Sequence, residues 1–313
     1  MRVIDFHTHL PFRYKDPVEA ASYLVSVMDR SGVERAVVIA IEGGVRSFRR
    51  RMNPRYIREA AEEILDYVAY NPSAALRKIL FEPEESIKEH ETLLVEHRRR
   101  TEEVVMAAER FPDRLLPVGS FNPDLGVEET LKRLRRYQDV LIGVKIYPTL
   151  HCIHPASRNL QPLYNWAAKN RKIVIIHTGC DPGMWELPKL CRYARPKYVA
   201  EAARKNPDVV YVIAHMGAYS MLMPGIFFRE ALNAAQLENI YLDTSATEPI
   251  FIERAVEEIG YEKILYGSDY PYVVGVDMRD TIEEILSLDI PGEAKRAILR
   301  ENAERLLKNL GVL

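Results

Sequence analysis

The sequence predicts an α/β fold, a (β/α)8 TIM barrel, and three observations carry that expectation. Eight short runs rich in Val and Ile recur along the 313 residues. Most intervals between them place apolar residues three and four apart, the period of a helix that packs by one face. No GxGxxG follows the first run, so the dinucleotide signature of the open, doubly wound alternative is missing.

The runs are RVIDF (2–6), RAVVIAI (35–41), LLPVGSF (115–121), LIGVKIY (141–147), KIVIIH (172–177), VVYVIAH (209–215), IYLDTS (240–245) and KILYGSD (263–269). They do not alternate apolar with polar residues, which is the pattern of parallel strands covered on both faces. Between them VEETLKRLRRY, LQPLYNWAAKN, RPKYVAEAARK and EPIFIERAVEEIG read as amphipathic helices. Strands that alternate with helices imply a parallel sheet, and eight such units in this length close a barrel.

One connection breaks the regularity. Residues 42–114 separate the second and third strands, far more than one crossover helix needs, and the helix beginning near His97 is the expected crossover. Residues 42 to about 95 then form a helical insertion in a single barrel domain spanning 1–313. It carries helical patterns at IREAAEEILDYV and SIKEHETLLVEH, broken at Asn71-Pro72 and Glu82-Pro83. Leaving the C-terminal end of a strand, it is expected over the barrel mouth as a lid or a dimer contact.

Composition narrows the function. Lys plus Arg number 43 against 45 for Asp plus Glu, so no positive field exists to gather phosphates, and nucleic-acid binding is not expected. The expected partner is a small molecule. The N-terminus lacks a basic segment followed by a long apolar stretch, and no uncharged apolar run reaches membrane-spanning length, so neither signal peptide nor membrane span is expected. Cys152, Cys180 and Cys191 have no CxxC spacing, and their odd number argues against a secreted disulfide framework; a cytoplasmic location is expected, with Cys180 an inert loop or core residue.

The chemistry collects at the strand ends. His7 and His9 follow strand one, Lys145 lies near the end of strand four, His177 ends strand five, His215 ends strand six and Asp269 follows strand eight. Of only 8 histidines, these four fall where a barrel keeps its active site. Two residues apart on an extended strand, His7 and His9 leave the same face, and both rings can reach one ion at roughly 2.0–2.1 Å. With His177 and Asp269 they make a shell of three imidazoles and one carboxylate, which suits one divalent metal, Zn²⁺ first and Mn²⁺ or Fe²⁺ next.

HTH after strand one, GVKIYP, IIHTG, IAHMG and LYGSDYP at strands four, five, six and eight, and ENAERLL in the last helix strongly resemble the amidohydrolase superfamily. The amidohydrolase-2 branch, which includes aminocarboxymuconate-semialdehyde decarboxylase and related aromatic-acid decarboxylases, is the nearest match. The resemblance covers nearly the whole chain outside the insertion. It implies that His7, His9, His177 and Asp269 bind one divalent metal and that His215 lies beside the metal-bound water or the substrate. Such a water has its pKa drawn from about 15.7 toward about 7. Asp269 would accept its proton, and His215 would polarise substrate or shuttle a proton. In binuclear relatives a lysine on strand four is carboxylated and bridges two metals, His177 and His215 serving the second ion; in the amidohydrolase-2 branch the lysine stays free, which is the expectation for Lys145. Dimers are common in that branch, and a homodimer through the insertion is a further expectation.

Substrate contacts are read from the mouth side of the strands. Arg46, Arg49, Arg50 and Arg51 follow strand two, and Arg grips a carboxylate with two parallel hydrogen bonds. Tyr147, Trp185 and Tyr270 follow strands four, five and eight and are placed to line an aromatic pocket. His90, His97, His151 and His154 lie on charged helices or in a loop and are left out of the metal site. Two reactions share this arrangement: hydrolysis by a metal-activated water, taken as the expectation for a carboxylate-bearing substrate, and non-oxidative decarboxylation of an aromatic or unsaturated acid. A barrel that only binds would have lost ligands, and every ligand position here is filled.

Overall fold

A computed structural model describes residues 2–44, 99–181, 186, 188–220, 223–273 and 275–313. Eight parallel strands pair in sequence order. They are β1 Val3–Thr8, β2 Val33–Ile39, β3 Leu115–Ser120, β4 Gly143–Ile146, β5 Ile173–His177, β6 Tyr211–Ala214, β7 Ile240–Asp243 and β8 Ile264–Leu265. β8 is shorter than the expected KILYGSD because the chain after Leu265 leaves the β7 ladder and bonds to β1 instead. Phe6 N–H donates to Tyr266 O (2.7 Å), Asp269 N–H to His7 O (2.8 Å) and His9 N–H to Tyr270 O (2.8 Å), which closes the barrel.

Closure separates two apolar cores. Val37, Ile39, Val118, Ile173, Ile175, Val212 and Leu265 fill the barrel interior, and Leu306 and Leu307 of the last helix plug its lower end. Val38, Val144, Val174, Ile176 and Ile213 point outward to the helices. The alternation along a strand aims the chemistry: Lys145 pairs with Ile175 in register, and His177 lies two residues beyond Ile175, so both turn inward at the C-terminal rim.

The outer helices include α1 Pro17–Ser31, α2 Thr101–Arg110, α3 Gly126–Arg136, the one-turn α4 Pro148–His151, α5 Gln161–Lys169 and α6 Pro196–Lys205. After them come α7 Phe228–Ala234, α8 Pro249–Ile259 and α9 Met278–Ser287. Asp16 caps α1 by accepting from Val18 N and Glu19 N, and Gly32 ends it in the left-handed conformation (φ 76°). The crossover after β2 is α2, which starts at Thr101, close to the expected place. The insertion expected from 42 to about 95 lies outside the described residues from position 45 onward. Its root is fixed by a buried carboxylate: Glu42 accepts from Thr101 N and Oγ1, Asn122 Nδ2 and both terminal nitrogens of Arg133. Among the described residues no helix is long and apolar enough to cross a membrane.

Candidate metal centre

The rings meet where the sequence places them, at the C-terminal rim, and the backbone there is bent to deliver them. His215 (φ 61°), Met216 (φ 49°), Ala246 (φ 45°) and Asp269 (φ 55°) all adopt the left-handed region that residues with a Cβ rarely enter. Gly267 lets β8 approach β1, because a Cβ there would stand 2.7 Å from His7 Cβ and 3.2 Å from Ser245 Cβ.

His7, His9 and Asp269 converge. Asp269 Oδ1 lies 3.2 Å from His9 Nε2 and 3.5 Å from His7 Nε2, all three side chains buried. The far nitrogen of each ring is already committed: His7 Nδ1 meets Asp243 Oδ2 at 2.8 Å, and His9 Nδ1–H donates to Ile39 O at 2.9 Å. With its one proton at Nδ1, each neutral ring turns a lone pair toward the carboxylate oxygen. Three lone-pair atoms crowded together in a buried place are what a divalent cation needs, and the residues present fit one.

The electrostatics keep these groups in ligating form. Burial lowers the pKa of His9, carries His7 well below the ordinary imidazole range and pushes His215 down to about 4, so all three are neutral at pH 7. Burial would raise Asp269, but His9, His7 and His215 outweigh it and hold the carboxyl below its usual range. Lys145, fully buried with Nζ 3.4 Å from His7 Nε2, is lowered by burial to about 8 against the pull of Asp243 and Asp269.

His215 and His177 form a second part of the centre. His215 stacks beside His7 with ring centroids 5.0 Å apart, and its Nε2 stands 3.0 Å from His177 Nδ1. Among the described residues, the groups whose ligand atoms all lie within 4.8 Å of one another are His7, His9 and Asp269, and His7, His215 and Asp243; His177 belongs to neither. Its Nε2 lies 3.0 Å from Glu186 Oε1.

Two acidic groups here escape the sequence reading. Asp243 ends β7 and accepts from His7 Nδ1, His215 N, Ser245 N and Ser245 Oγ. Burial raises its pKa, opposed by His215 and these bonds. The strand-end rule that picks out His177 applies equally to the Asp of IYLDTS and would have found it. Glu186 sits in the loop after β5, with no pattern around it to mark it.

A cavity of about 750 Å³ opens above the rings, lined by Phe12, Lys145, Tyr147, Tyr219 and Tyr272 among others. Tyr147 stacks on His177 (3.9 Å between centroids) and Tyr272 meets His9 edge-on (4.6 Å). Tyr270 is outside this lining and packs instead against the outer core, with Tyr23 as its hydrogen-bond partner. Arg46, Arg49, Arg50, Arg51 and Trp185, expected to contact substrate, lie outside the described residues, as do His90 and His97. His151 stays apart from the centre, donating from Nε2 to Glu42 O (2.8 Å) and accepting from Tyr147 N (3.0 Å). Cys180 is not the inert thiol expected: Cys180 and Cys191 form a disulfide with Cα atoms 5.4 Å apart, while the buried Cys152 is outside any disulfide. Their spacing carries no pairing signal.

A barrel with histidines on strands one, five and six and an aspartate after strand eight, all on one rim, is the arrangement of a metal-dependent enzyme. The chain belongs to the amidohydrolase family, whose model matches residues 4–308, and it is an enzyme of the amidohydrolase superfamily, which uses a divalent metal. Solved structures share the fold. An uncharacterised TIM-barrel protein from Bordetella bronchiseptica is 18% identical with a TM-score of 0.67, over 99% of this chain and 100% of that one. A probable 2-pyrone-4,6-dicarboxylic acid hydrolase from Acinetobacter baumannii is 15% identical with a TM-score of 0.60, over 98% and 100%. A 5-carboxyvanillate decarboxylase from Novosphingobium aromaticivorans, solved with manganese, is 12% identical with a TM-score of 0.60, over 98% and 97%. No curated protein matches the chain.

Proposed function

We propose that this enzyme is a hydrolase of small carboxylate-bearing molecules that uses one divalent metal, Zn²⁺ in first place, held by His7, His9 and Asp269 with His177 as the fourth ligand. The observation that carries the reading is the convergence of His7 Nε2, His9 Nε2 and Asp269 Oδ1 at the floor of the cavity. When bound, the metal supplies Lewis acidity and makes hydroxide available near neutral pH. Asp269, a buried carboxylate facing the cavity, is placed to accept the proton that the attacking water gives up. His215, with Nδ1 directed at Ser245 O (3.0 Å), has its lone pair at Nε2, which would take that proton on from Asp269 and hand it to the leaving group. Lys145 is the only Lys or Arg among the described residues lining the cavity, and it is the group proposed to pair with a substrate carboxylate. Tyr147 and Tyr272 supply flat walls for the rest of the substrate.

A second reading, non-oxidative decarboxylation, is favoured by the same Lys145 lying against His7 beneath aromatic walls, which would set an aromatic acid with its carboxylate at the metal. The hydrolase and decarboxylase among the similar structures span both reactions. A panel of lactones and amides assayed beside aromatic carboxylates separates them. Turnover of a lactone or amide that is lost in Asp269→Ala is expected; release of carbon dioxide from an acid, lost in the same variant, would defeat the hydrolase reading.

A further inference from the structure

His177 is held the other way round from its neighbours. His7, His9 and His215 each keep Nδ1 against the protein, on Asp243, Ile39 O and Ser245 O, and turn Nε2 to the centre. His177 gives Nε2 to Glu186 Oε1 at 3.0 Å and presents Nδ1 to His215 Nε2, also at 3.0 Å. A carboxylate accepts and cannot donate, so the single proton of a neutral His177 ring belongs on Nε2. Nδ1 then faces His215 as a lone pair, and His215, whose own proton is drawn to Ser245, faces it with another. Two lone pairs opposed at 3.0 Å repel unless a cation lies near them.

Glu186 is itself fixed on three sides. Oε1 also accepts from Thr149 Oγ1 (2.7 Å), just after β4, and Oε2 accepts from Asp181 N (2.7 Å) in its own loop. The residue is buried, and the disulfide from Cys180 to Cys191 brackets it in sequence. A carboxylate anchored in this way costs little further entropy when it orients a ring.

We propose that Glu186 is a positioning residue for His177: by accepting the Nε2 proton it fixes the tautomer and keeps the Nδ1 lone pair turned into the metal centre. It acts through His177 and touches no reacting atom. The proposal rests on the reading above that His177 serves the metal. Outer partners of this kind typically alter metal affinity by about 10–100-fold.

The test uses the full chain, metal-free, with ¹⁵N-labelled histidine, and assigns the His177 ring signals by their loss in His177→Asn. The wild type is expected to show the Nε2–H tautomer. Glu186→Ala should lose that preference and weaken Zn²⁺ binding, measured by competition with a chelating dye, by about 10–100-fold. Glu186→Gln, whose amide oxygen can still accept from Nε2–H, should restore the tautomer and most of the affinity. An Nδ1–H tautomer in the wild type overturns the proposal, as does Glu186→Ala with tautomer and affinity unchanged. If the alanine variant does not fold, the wild-type and glutamine spectra decide. A His177→Asn chain that binds Zn²⁺ as tightly as the wild type would overturn the ligand reading underneath, a failure that the tautomer spectrum keeps distinct from that of Glu186.

Discussion

An imidazole can serve a cation only through the nitrogen that lacks a proton, so the partner on its far side decides whether it is a ligand. Two such partners here are backbone carbonyls, of Ile39 and Ser245, and two are buried carboxylates: Glu186 behind His177, and Asp243, which is bonded to His7 and to the backbone of His215. Asp5 works similarly on the backbone. Its Oδ1 accepts from His7 N (3.0 Å) and Ser268 N (3.1 Å), so one carboxyl ties the segments that carry His7 and Asp269, while Oδ2 is buried without a partner. Burial raises its pKa from 3.8 to about 7. The folded state therefore holds a proton that the unfolded state has lost between these two values, and stability falls as pH rises through that window. Asp5→Asn keeps the accepting oxygen and removes the charge. In urea melts of the metal-free protein its advantage over the wild type should grow as pH rises from 3.8 to about 7; an equal gap at both ends would refute the assignment.

At the scale of elements, the centre depends on how β8 and the chain beyond it lie against β1. The tail of KILYGSD reads as strand from its residues, yet its partner is β1 rather than β7, because barrel closure offers a second edge that local sequence does not reveal. Gly267 is the point of closest approach. Gly267→Ala should force His7 and Ser245 apart, costing about 1–3 kcal/mol in a denaturant melt, and should lower metal content more than folded yield. An alanine variant with full metal content would mean that the strands have more room than the 2.7 Å approach allows. The left-handed residues at His215, Ala246 and Asp269 lie on the same rim, where strained backbone is held by the barrel beneath it.

For the whole molecule, the proposed ligands come from β1, β5 and the β8 loop, so a metal held by them would tie together parts distant in sequence. Removing it with a chelator should lower Tm, and added Zn²⁺ should restore it in a concentration-dependent way, since an ion that binds only the folded state stabilises by mass action. Elemental analysis should give close to one metal per chain; two would move His177, His215 and Lys145 to a second ion. Affinity should fall as pH drops and protons compete for the imidazoles. Much of this was legible beforehand. Eight Val- and Ile-rich runs, four histidines and Asp269 at their ends follow from a repeat whose strand and helix periods are local properties of the chain. Asp243 was legible by the same rule and overlooked. Glu186, the Cys180–Cys191 bond and the place of His177 outside the His7, His9 and Asp269 group were not, for each depends on tertiary contacts that no local pattern marks. The sequence by itself determined the barrel, the residues on its rim and the family, because alternation along a strand fixes which side chains point inward. Only the tertiary structure decided which ring nitrogens meet which partners, because proton placement is set by contacts between strands and loops far apart in the chain.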